Sequence, residues 1–485
     1  MLATRIPQVI LICLLVGCQT SRQVPVESSP VVDNISPGSL GPPTLTQLPT
    51  TPPQLPNQPT PRAQQAAFIE AVQVQELPEP LQLPTPIDER ISGLTLKALE
   101  QIALDNNPAV GQAVAKLRAL QGKWVQAGLP PNPRVGYLSE DVGIEGTSGK
   151  QGAFVGQKFI TGGKLDLDQA VVSREIMQSE QQLTATRQRV LTDVRIGYYD
   201  VLIAQRKLKL AGELVDISKQ AVRASQQLLK AKEIPRVGLL QTEIEAQTAH
   251  ILLRRAKNGN VAAWRRLNSV IGGPDLALQP LEGDLDQLAN DLEWNEQLER
   301  LVTKSPEVAT AVAELERARS ALGRAHAQVI PDLNVQVALQ YDNLTEDTIT
   351  GVQVGLPIPL WNRNQGGIQR AWNDIVTARR NIQRVELDLQ QRLAIAFQQY
   401  ADARYQVGRF SDNILPTAKE TFDLVSEGYQ KGEVGYLDML TAQRTYFQAN
   451  LSYIEALREL WRVTVRIEGM LLEDSLANAS RALEK

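Results

Sequence analysis

The sequence contains the same unit twice, and the length of that unit restricts what the chain can fold into. Asn107-Pro108-Ala109-Val110 is followed 198 residues later by Ser305-Pro306-Glu307-Val308. A collinear series of such matches, with one small change of spacing, indicates a duplicated unit whose period is far too long for a solenoid. The other matches are Ala113-Val114-Ala115 with Ala311-Val312-Ala313, Leu117 with Leu315, Pro133 with Pro331, Val237-Gly238 with Val434-Gly435, Trp264 with Trp461, and Gly272 with Gly469.

Most of each unit is predicted to be helix. Helices are expected over residues 108–127 and 306–329, because proline is well tolerated in a first helical turn. Two much longer helical stretches follow, residues 164–232 and 365–431, and each would be about 100 Å long if it were continuous. Helices of this length are stable only beside other helices, so the sequence predicts antiparallel coiled-coil hairpins.

A turn marked by Pro235 or Gly432 ends each long stretch and leads into a return helix. The two turns would therefore form the far ends of the two hairpins. In the second return helix, apolar residues recur at spacings dominated by three and four, which predicts one buried face. These residues are Leu437, Leu440, Phe447, Leu451, Ile454, Leu457, Trp461 and Val465.

Two short strands are predicted in each unit, between the first helix and the long stretch. In the second unit, residues 333–341 and 352–358 alternate between apolar and polar, with a polar loop at 342–350 between them. In the first unit, residues 134–140 and 153–160 alternate less clearly. The apolar positions would form one face, including Leu333, Val335 and Val337, and the polar positions the other, including Asn334, Gln336, Gln340 and Gln353.

Four strands cannot close a barrel by themselves. A closed sheet needs roughly eight strands, and an open edge is not tolerated in lipid. The strands are therefore completed by other copies of the chain, or they form a soluble sheet with one wet face. A barrel would turn its apolar face to lipid and its polar face to a water-filled lumen.

The N-terminus favours a membrane location. Residues 1–18 contain Arg5 and then an apolar run too short to span a bilayer, which is typical of a signal peptide. Leu15-Val16-Gly17-Cys18 resembles the lipobox of bacterial lipoproteins, in which Cys18 becomes the lipidated first residue, and Gln19 is not the aspartate associated with inner-membrane retention. An ordinary signal peptide with an incidental cysteine is the alternative. Residues 19–92 hold 15 of the 28 prolines and are predicted to be a linker or an extended strip along the folded body.

The residues that an enzyme, a metal site or a nucleic-acid-binding surface would need do not come together in this sequence. The 54 acidic and 50 basic residues are interspersed, without a basic block. His250 and His326 stand 76 residues apart, and Cys18 would be acylated, so neither a metal ion nor a cofactor is expected. Gly162-Gly163-Lys164 does not complete a phosphate-binding loop, because Lys158 stands where that pattern has a glycine.

Over about residues 90–475, the chain resembles the TolC-like outer-membrane efflux proteins. The resemblance is closest to the branch that serves multidrug and heavy-metal pumps of the resistance-nodulation-division type. It rests on the order of four motifs within the duplicated frame: Pro131-Asn132-Pro133, Thr161-Gly162-Gly163-Lys164, Leu356-Pro357-Ile358-Pro359-Leu360-Trp361-Asn362-Arg363 and Tyr429-Gln430-Lys431-Gly432-Glu433-Val434-Gly435-Tyr436-Leu437-Asp438.

The resemblance implies a passive homotrimeric duct with a twelve-stranded barrel in the outer membrane and a twelve-helix tunnel in the periplasm. A periplasmic adaptor protein would dock at the helical turns, and an inner-membrane pump would supply the energy. The nature of the exported substrate is left open. By position, the adaptor contacts would be Val237, Gly238, Leu239, Val434, Gly435 and Tyr436.

The resemblance also suggests a gate at the tip of the tunnel, where family members carry rings of acidic side chains. Asp438 occupies the matching position, Thr441 replaces the following acid, and the internal repeat places Gln241 opposite Asp438. Like charges clustered in a trimer would focus a field along the pore. An aspartate in a first helical turn is equally explained by the helix dipole.

The predicted division of the chain is a signal peptide (1–18), a proline-rich segment (19–92), a first repeat (93–273), a connection (274–292), a second repeat (293–473) and a tail (474–485). The favoured function is the outer-membrane duct of a tripartite efflux system. One alternative is the exit duct of a type I protein-secretion system. The other is a lipid-anchored periplasmic coiled-coil scaffold, which would not need the alternating strands.

Overall fold

The computed structural model describes residues 94–146, 148–273, 276–287 and 291–476. The predicted signal peptide, the lipidation site at Cys18, the proline-rich segment and most of the predicted tail lie outside the described residues. The described part is mainly helical with one small antiparallel sheet, as the sequence predicts.

The same order of elements occurs twice along the described chain: a short helix, a second helix, two strands, a long helical arm and a return helix. The first set is α1 (Leu96–Asn106), α2 (Pro108–Gly128), β1 (Arg134–Glu140), β2 (Lys150–Phe159), α3 (Lys164–Lys230) and α4 (Arg236–Ile271). The second set is α5 (Trp294–Lys304), α6 (Pro306–Ala327), β3 (Leu333–Asp342), β4 (Asp347–Gly355), α7 (Gln365–Arg409), α8 (Leu415–Lys431) and α9 (Tyr436–Glu468).

The starts of α2 and α6 follow from their sequences. The Asn107 side chain accepts a hydrogen bond from the Ala109 N–H at 2.9 Å, and the Ser305 hydroxyl accepts one from the Glu307 N–H at 3.2 Å. Each cap satisfies a backbone donor that the first helical turn leaves unpaired, and the proline that follows needs no partner. Asn107 also donates to the Val270 carbonyl at 2.6 Å, which fixes α2 to the end of α4.

Sequence reasoning missed the short helices α1 and α5. In α1 the signal was present, since Leu99, Ile102 and Ala103 are buried at helical spacing. These helices pack on the middle of the long arms, where Leu99 and Leu301 enter the main core with Val194 and Leu393.

The second long arm is helical over the predicted stretch, but it is not one continuous α-helix. A π-helical turn, Phe410–Ile414, separates α7 from α8 and ends two residues before Pro416. Proline has no N–H for an i→i−4 bond and its ring crowds the preceding turn. A wider turn at this point relieves both problems.

The strand boundaries also differ from the prediction. β4 begins at Asp347 and ends at Gly355, so residues 356–358 are not part of it, and β2 begins three residues before the predicted start. Pro357 and Pro359 cannot donate hydrogen bonds to a neighbouring strand, which explains why the alternating pattern continues beyond the observed strand.

The sheet has the order β1-β2-β3-β4, and every neighbouring pair is antiparallel. Its register places one residue from each strand in a single row: Val135 opposite Val155, Val155 opposite Val337, and Val337 opposite Val352. These four valines lie on one face and are largely exposed. The sheet therefore has an apolar face that nothing in the described chain covers.

The segment 276–287 has no helix or strand. Two buried tryptophan side chains hold it against the core by hydrogen bonds to its backbone. The Trp264 N–H donates to the Leu276 carbonyl at 3.0 Å, and the Trp461 N–H donates to the Leu285 carbonyl at 2.9 Å. Each bond satisfies the polar end of a large buried ring. Among the described helices, none is long and apolar enough to cross a membrane.

Candidate functional site

The tips of the two helical arms have the same backbone geometry. Lys232 and Gly432 adopt the left-handed conformation, with φ of 63° and 77°. The next N–H in each case, of Glu233 or Glu433, donates to the carbonyl five residues earlier at 2.9 Å. This arrangement is a Schellman C-cap, which satisfies free carbonyls at the helix end and reverses the chain.

Because both tips close with the same C-cap, residues 200 positions apart have the same place relative to the cap. The return helices begin at Arg236 and Tyr436, so Asp438 corresponds to Gly238. The sequence repeat instead pairs Asp438 with Gln241 and Val237-Gly238 with Val434-Gly435, so the two ways of aligning the tips differ by three residues. α4 has 36 residues and α9 has 33, so the three-residue difference lies within the return helices, before Trp264 and Trp461.

The six predicted adaptor-contact residues lie at these tips but are not equally accessible. Val237 is 61% exposed, whereas the Tyr436 ring packs 6.1 Å from the Tyr429 ring. Burial, together with the nearby charge of Glu245, raises the pKa of Tyr436 to about 12. Gly435 is exposed, and Gly238, Leu239 and Val434 are half-buried.

Asp438 lies in the first turn of α9 and is exposed. It stands beside a groove of about 620 Å³ between α8 and α9. The rest of the groove is lined by small and apolar residues, including Ala418, Thr421, Ala442 and Thr445. The predicted apolar stripe of α9 is buried at Ile454, Leu457, Trp461 and Val465, whereas Leu437, near Asp438, is 67% exposed.

Three polar contacts join the arms near their tips, and no local pattern indicated them because the partners are about two hundred residues apart. The Arg444 guanidinium forms an ion pair with Glu245. The Ser225 hydroxyl lies 2.8 Å from the Tyr429 hydroxyl, and the Gln443 side chain donates to the Ser218 hydroxyl at 3.3 Å. Ser218, Ser225 and Gln443 are buried, so these contacts fix the second arm against the first.

A second open space, of about 940 Å³, lies between α2, α3, α6 and α7. Its wall carries charges of both signs, among them Lys116, Arg189, Glu314, Arg384 and Asp388. A surface with charges of both signs is hydrated but does not favour cations over anions. Among the described residues, no three His, Cys, Asp or Glu side chains come together to hold a metal ion, and His250 and His326 are both exposed.

The sequence profile of the outer membrane efflux protein family matches residues 99–273 and again residues 298–471. The chain belongs to this family. The two matches together span more than half of the sequence, and each covers one set of the elements described above.

Known relatives of this efflux protein cover most of its length. The cobalt-zinc-cadmium resistance protein CzcC of Cupriavidus metallidurans is 27% identical over 385 residues, which are 79% of this chain and 91% of that protein. The pyoverdine export outer membrane protein OpmQ of Pseudomonas aeruginosa is 24% identical over 390 residues, 73% of this chain and 80% of that protein. The solved structure of VceC of Vibrio cholerae has the same fold, with a TM-score of 0.62 at 15% identity, and the likeness covers 77% of this chain and 95% of that one.

The resemblance inferred from the motifs is therefore confirmed, and so is the prediction of an outer-membrane efflux protein. The family is one of transport proteins rather than enzymes.

Proposed function

We propose that this efflux protein works as a passive trimeric duct, in which three chains complete a twelve-stranded barrel in the outer membrane and a twelve-helix tunnel below it. The observation that carries the proposal is the four-stranded sheet, whose outer strands β1 and β4 each have one partner within the described chain. In lipid, both edges must be paired. The exposed row of valines would face the hydrocarbon.

The arrangement within one chain supports a simple way of joining copies. β2 of the first set pairs with β3 of the second set in antiparallel register. β4 of one chain would pair with β1 of the next chain in the same sense, so that every junction around the barrel is alike. Three chains give a closed ring with no free edge.

The lipid anchor and the partners belong to the same proposal. Cys18 would be acylated and would hold the N-terminus at the outer membrane, with the helical arms extending into the periplasm. The helix tips, where Val237 is 61% exposed, would receive a periplasmic adaptor that links the duct to an inner-membrane pump. The duct would be passive, so the pump would drive transport.

The cargo is proposed to be selected upstream of this component. The relatives are described as a cobalt-zinc-cadmium resistance protein and a pyoverdine export protein, two very different cargoes. The wall between α2, α3, α6 and α7 has mixed charges and no converging ligand set among the described residues. A wide, water-filled passage of this kind distinguishes poorly between cargoes. The duct could therefore export metal ions without binding them.

The experiment is to extract the full-length protein in mild detergent, measure its mass in solution and record currents in planar bilayers. A trimer that retains β-sheet signal on heating and gives single-channel currents supports the duct. A non-conducting monomer would overturn it. A Cys18→Ser variant tests the anchor separately, because loss of acylation should change membrane retention and leave the conductance of purified protein unchanged.

A further inference from the structure

We propose that a groove between α3, α4 and α9 binds organic anions with an apolar body, on the inner wall of the duct. The groove has a volume of about 360 Å³, which is within the range of small-molecule sites, roughly 300–1,000 Å³. The inference rests on the proposed duct, because it takes one face of the helical layer as the lumen. It adds to that function a class of cargo that the wall would retain.

The groove lies on the face of the three helices that is turned away from the segment 276–287. One side chain from each helix bonds to that segment: Arg206 of α3, Trp264 of α4 and Tyr453 of α9. Ala204, Arg266 and Leu451 line the groove, and each stands two residues from one of these, which is about 200° around an α-helix. Since the segment covers one face of the layer, the open face with the groove would line the tunnel.

The floor of the groove is apolar. Ile203, Ala211 and Ala263 are buried there, and Phe447 beside them is half-buried. Gly259 of α4 also lines the groove, and no atom lies within 4 Å of the place where its Cβ would stand, so α4 leaves the space above the floor open. An apolar body placed on this floor loses contact with water on one side, which favours binding.

The basic side chains on the α3 and α9 sides of the groove are offset by acidic ones. Arg458 pairs with Asp200 at 2.7 Å, and Lys207 pairs with Glu455 at 3.4 Å. The hydrogen bond to Asp200, together with the charges of Glu459 and Glu455, raises the pKa of Arg458. These two sides of the groove therefore supply no excess positive charge.

The α4 side carries two arginines without such partners. Arg255 and Arg266 are exposed, and neither forms an ion pair with another described residue. They stand eleven positions apart on α4, which is about 16 Å along the helix. A guanidinium offers two parallel N–H donors that match a carboxylate or a sulfonate. An anion with an apolar body therefore fits the groove, and a trimer would present three such grooves to the lumen.

The test measures how 2-naphthalenesulfonate, an anion with an apolar ring system, blocks single-channel currents of the full-length protein. The double variant Arg255→Gln with Arg266→Gln should need about tenfold more of the compound for half block, because two exposed charge contacts are lost. The matched control is Arg254→Gln with Arg265→Gln, which removes the same charge from α4 at the same spacing. These two side chains are exposed but do not line the groove, so the control should be blocked like the unaltered protein.

A neutral compound with the same rings, 2-naphthalenesulfonamide, separates the effect of charge from that of the rings. It should block more weakly, and equally in all three proteins. If the sulfonate blocks both double variants alike while the protein still conducts, the groove is not an anion site and the duct stands. Absence of any current would overturn the duct and the groove site together.

Discussion

Asp332 lies just before β3 and connects the two halves of the chain where the sheet meets the helices. Its carboxylate accepts from the Lys164 ammonium at 2.6 Å and pairs with the Lys158 ammonium at 3.0 Å. Lys164 is almost fully buried at the start of α3, and Asp332 is its ion-pair partner. Burial opposes ionisation of Asp332, but the hydrogen bonds from Lys164 and Lys158 outweigh it and lower the pKa of the carboxyl to about 2.

Asp332→Ala is expected to destabilise the protein by about 2–3 kcal/mol, because it leaves a buried ammonium without its partner. Denaturant unfolding of the detergent-extracted protein measures the change. Asp374→Ala is the control, since the Arg370–Asp374 pair is exposed at 4.0 Å and should contribute less than about 0.5 kcal/mol. Equal effects of the two variants would show that the Asp332 cluster adds no more to stability than an exposed ion pair does.

Asp332 should also make stability depend on pH in the acid range. Its pKa is lower in the folded protein than in the unfolded chain, so its contribution is complete above about pH 4 and is lost as the pH falls toward 2. Unfolding midpoints measured at steps across that window should fall less steeply in Asp332→Asn than in the unaltered protein. Parallel curves would assign the acid sensitivity to other carboxylates.

Asp438 is the residue for which a gate role remains a prediction. Asp438→Asn is expected to lower cation selectivity in planar bilayers, because three carboxylates at the tip of a trimer attract cations into the pore. The same change should cost only about 0.3–1 kcal/mol of stability, through weaker interaction with the helix dipole. Unchanged selectivity would leave Asp438 with the dipole role alone.

At the scale of the elements, the two long arms differ by one residue between their cores and their tips. Val190 and Val194, both fully buried in α3, correspond to the equally buried Leu389 and Leu393 of α7, 199 positions later. The tips correspond at 200 positions, as Lys232 and Gly432 show. The π turn lies between these two landmarks, and the Leu415 N–H donates to the carbonyl of Phe410 across it. An i→i+5 turn can take up one extra residue, so both arms reach their tips in the same orientation.

The backbone amides of residues 411–415 are expected to exchange hydrogen about five- to tenfold faster than those of residues 211–215 in α3. The π turn and Pro416 weaken the local hydrogen-bond ladder by roughly one bond, about 1 kcal/mol. Hydrogen–deuterium exchange of the assembled protein measures both segments in one sample, so the first arm serves as an internal control. Equal rates would mean that the turn is as firmly closed as ordinary α-helix.

At the scale of the whole molecule, the proposed barrel depends on the apolar face of the sheet. Val337 is the centre of the row of four valines, and Gln336 beside it points to the other face. Exposure of that apolar row to water would be unusual for a soluble protein.

Val337→Arg is expected to reduce assembly in the outer membrane by destabilising the barrel by about 2–4 kcal/mol, because the charge would lie in hydrocarbon. Gln336→Arg is the matched control and should assemble normally, since its side chain would face water. The yield of heat-resistant trimer in the membrane fraction compares the two. If both variants assembled equally, the valine row would not face lipid.

Local patterns in the sequence were enough to predict the helix starts at Pro108 and Pro306, the alternating strands and the turns at the two tips, although Lys232, the left-handed residue of the first tip, was not predicted. These features depend on the conformational limits of single residues and on periodicity within one element, both of which can be read along the chain. They were also enough to indicate the family, because its motifs keep their order within the repeat.

Other features depended on which elements become neighbours. The end of β4, the π turn, the three-residue difference between α4 and α9 and the contacts of Arg444 with Glu245 appear only when the arms are packed together. Aligning the two tips by their C-caps also required the structure. Both tips close with the same C-cap, although the return helices that follow differ in length. The sequence matches depend on which residues the two return helices have in common. The position of each tip depends on the number of residues between the tip and the core.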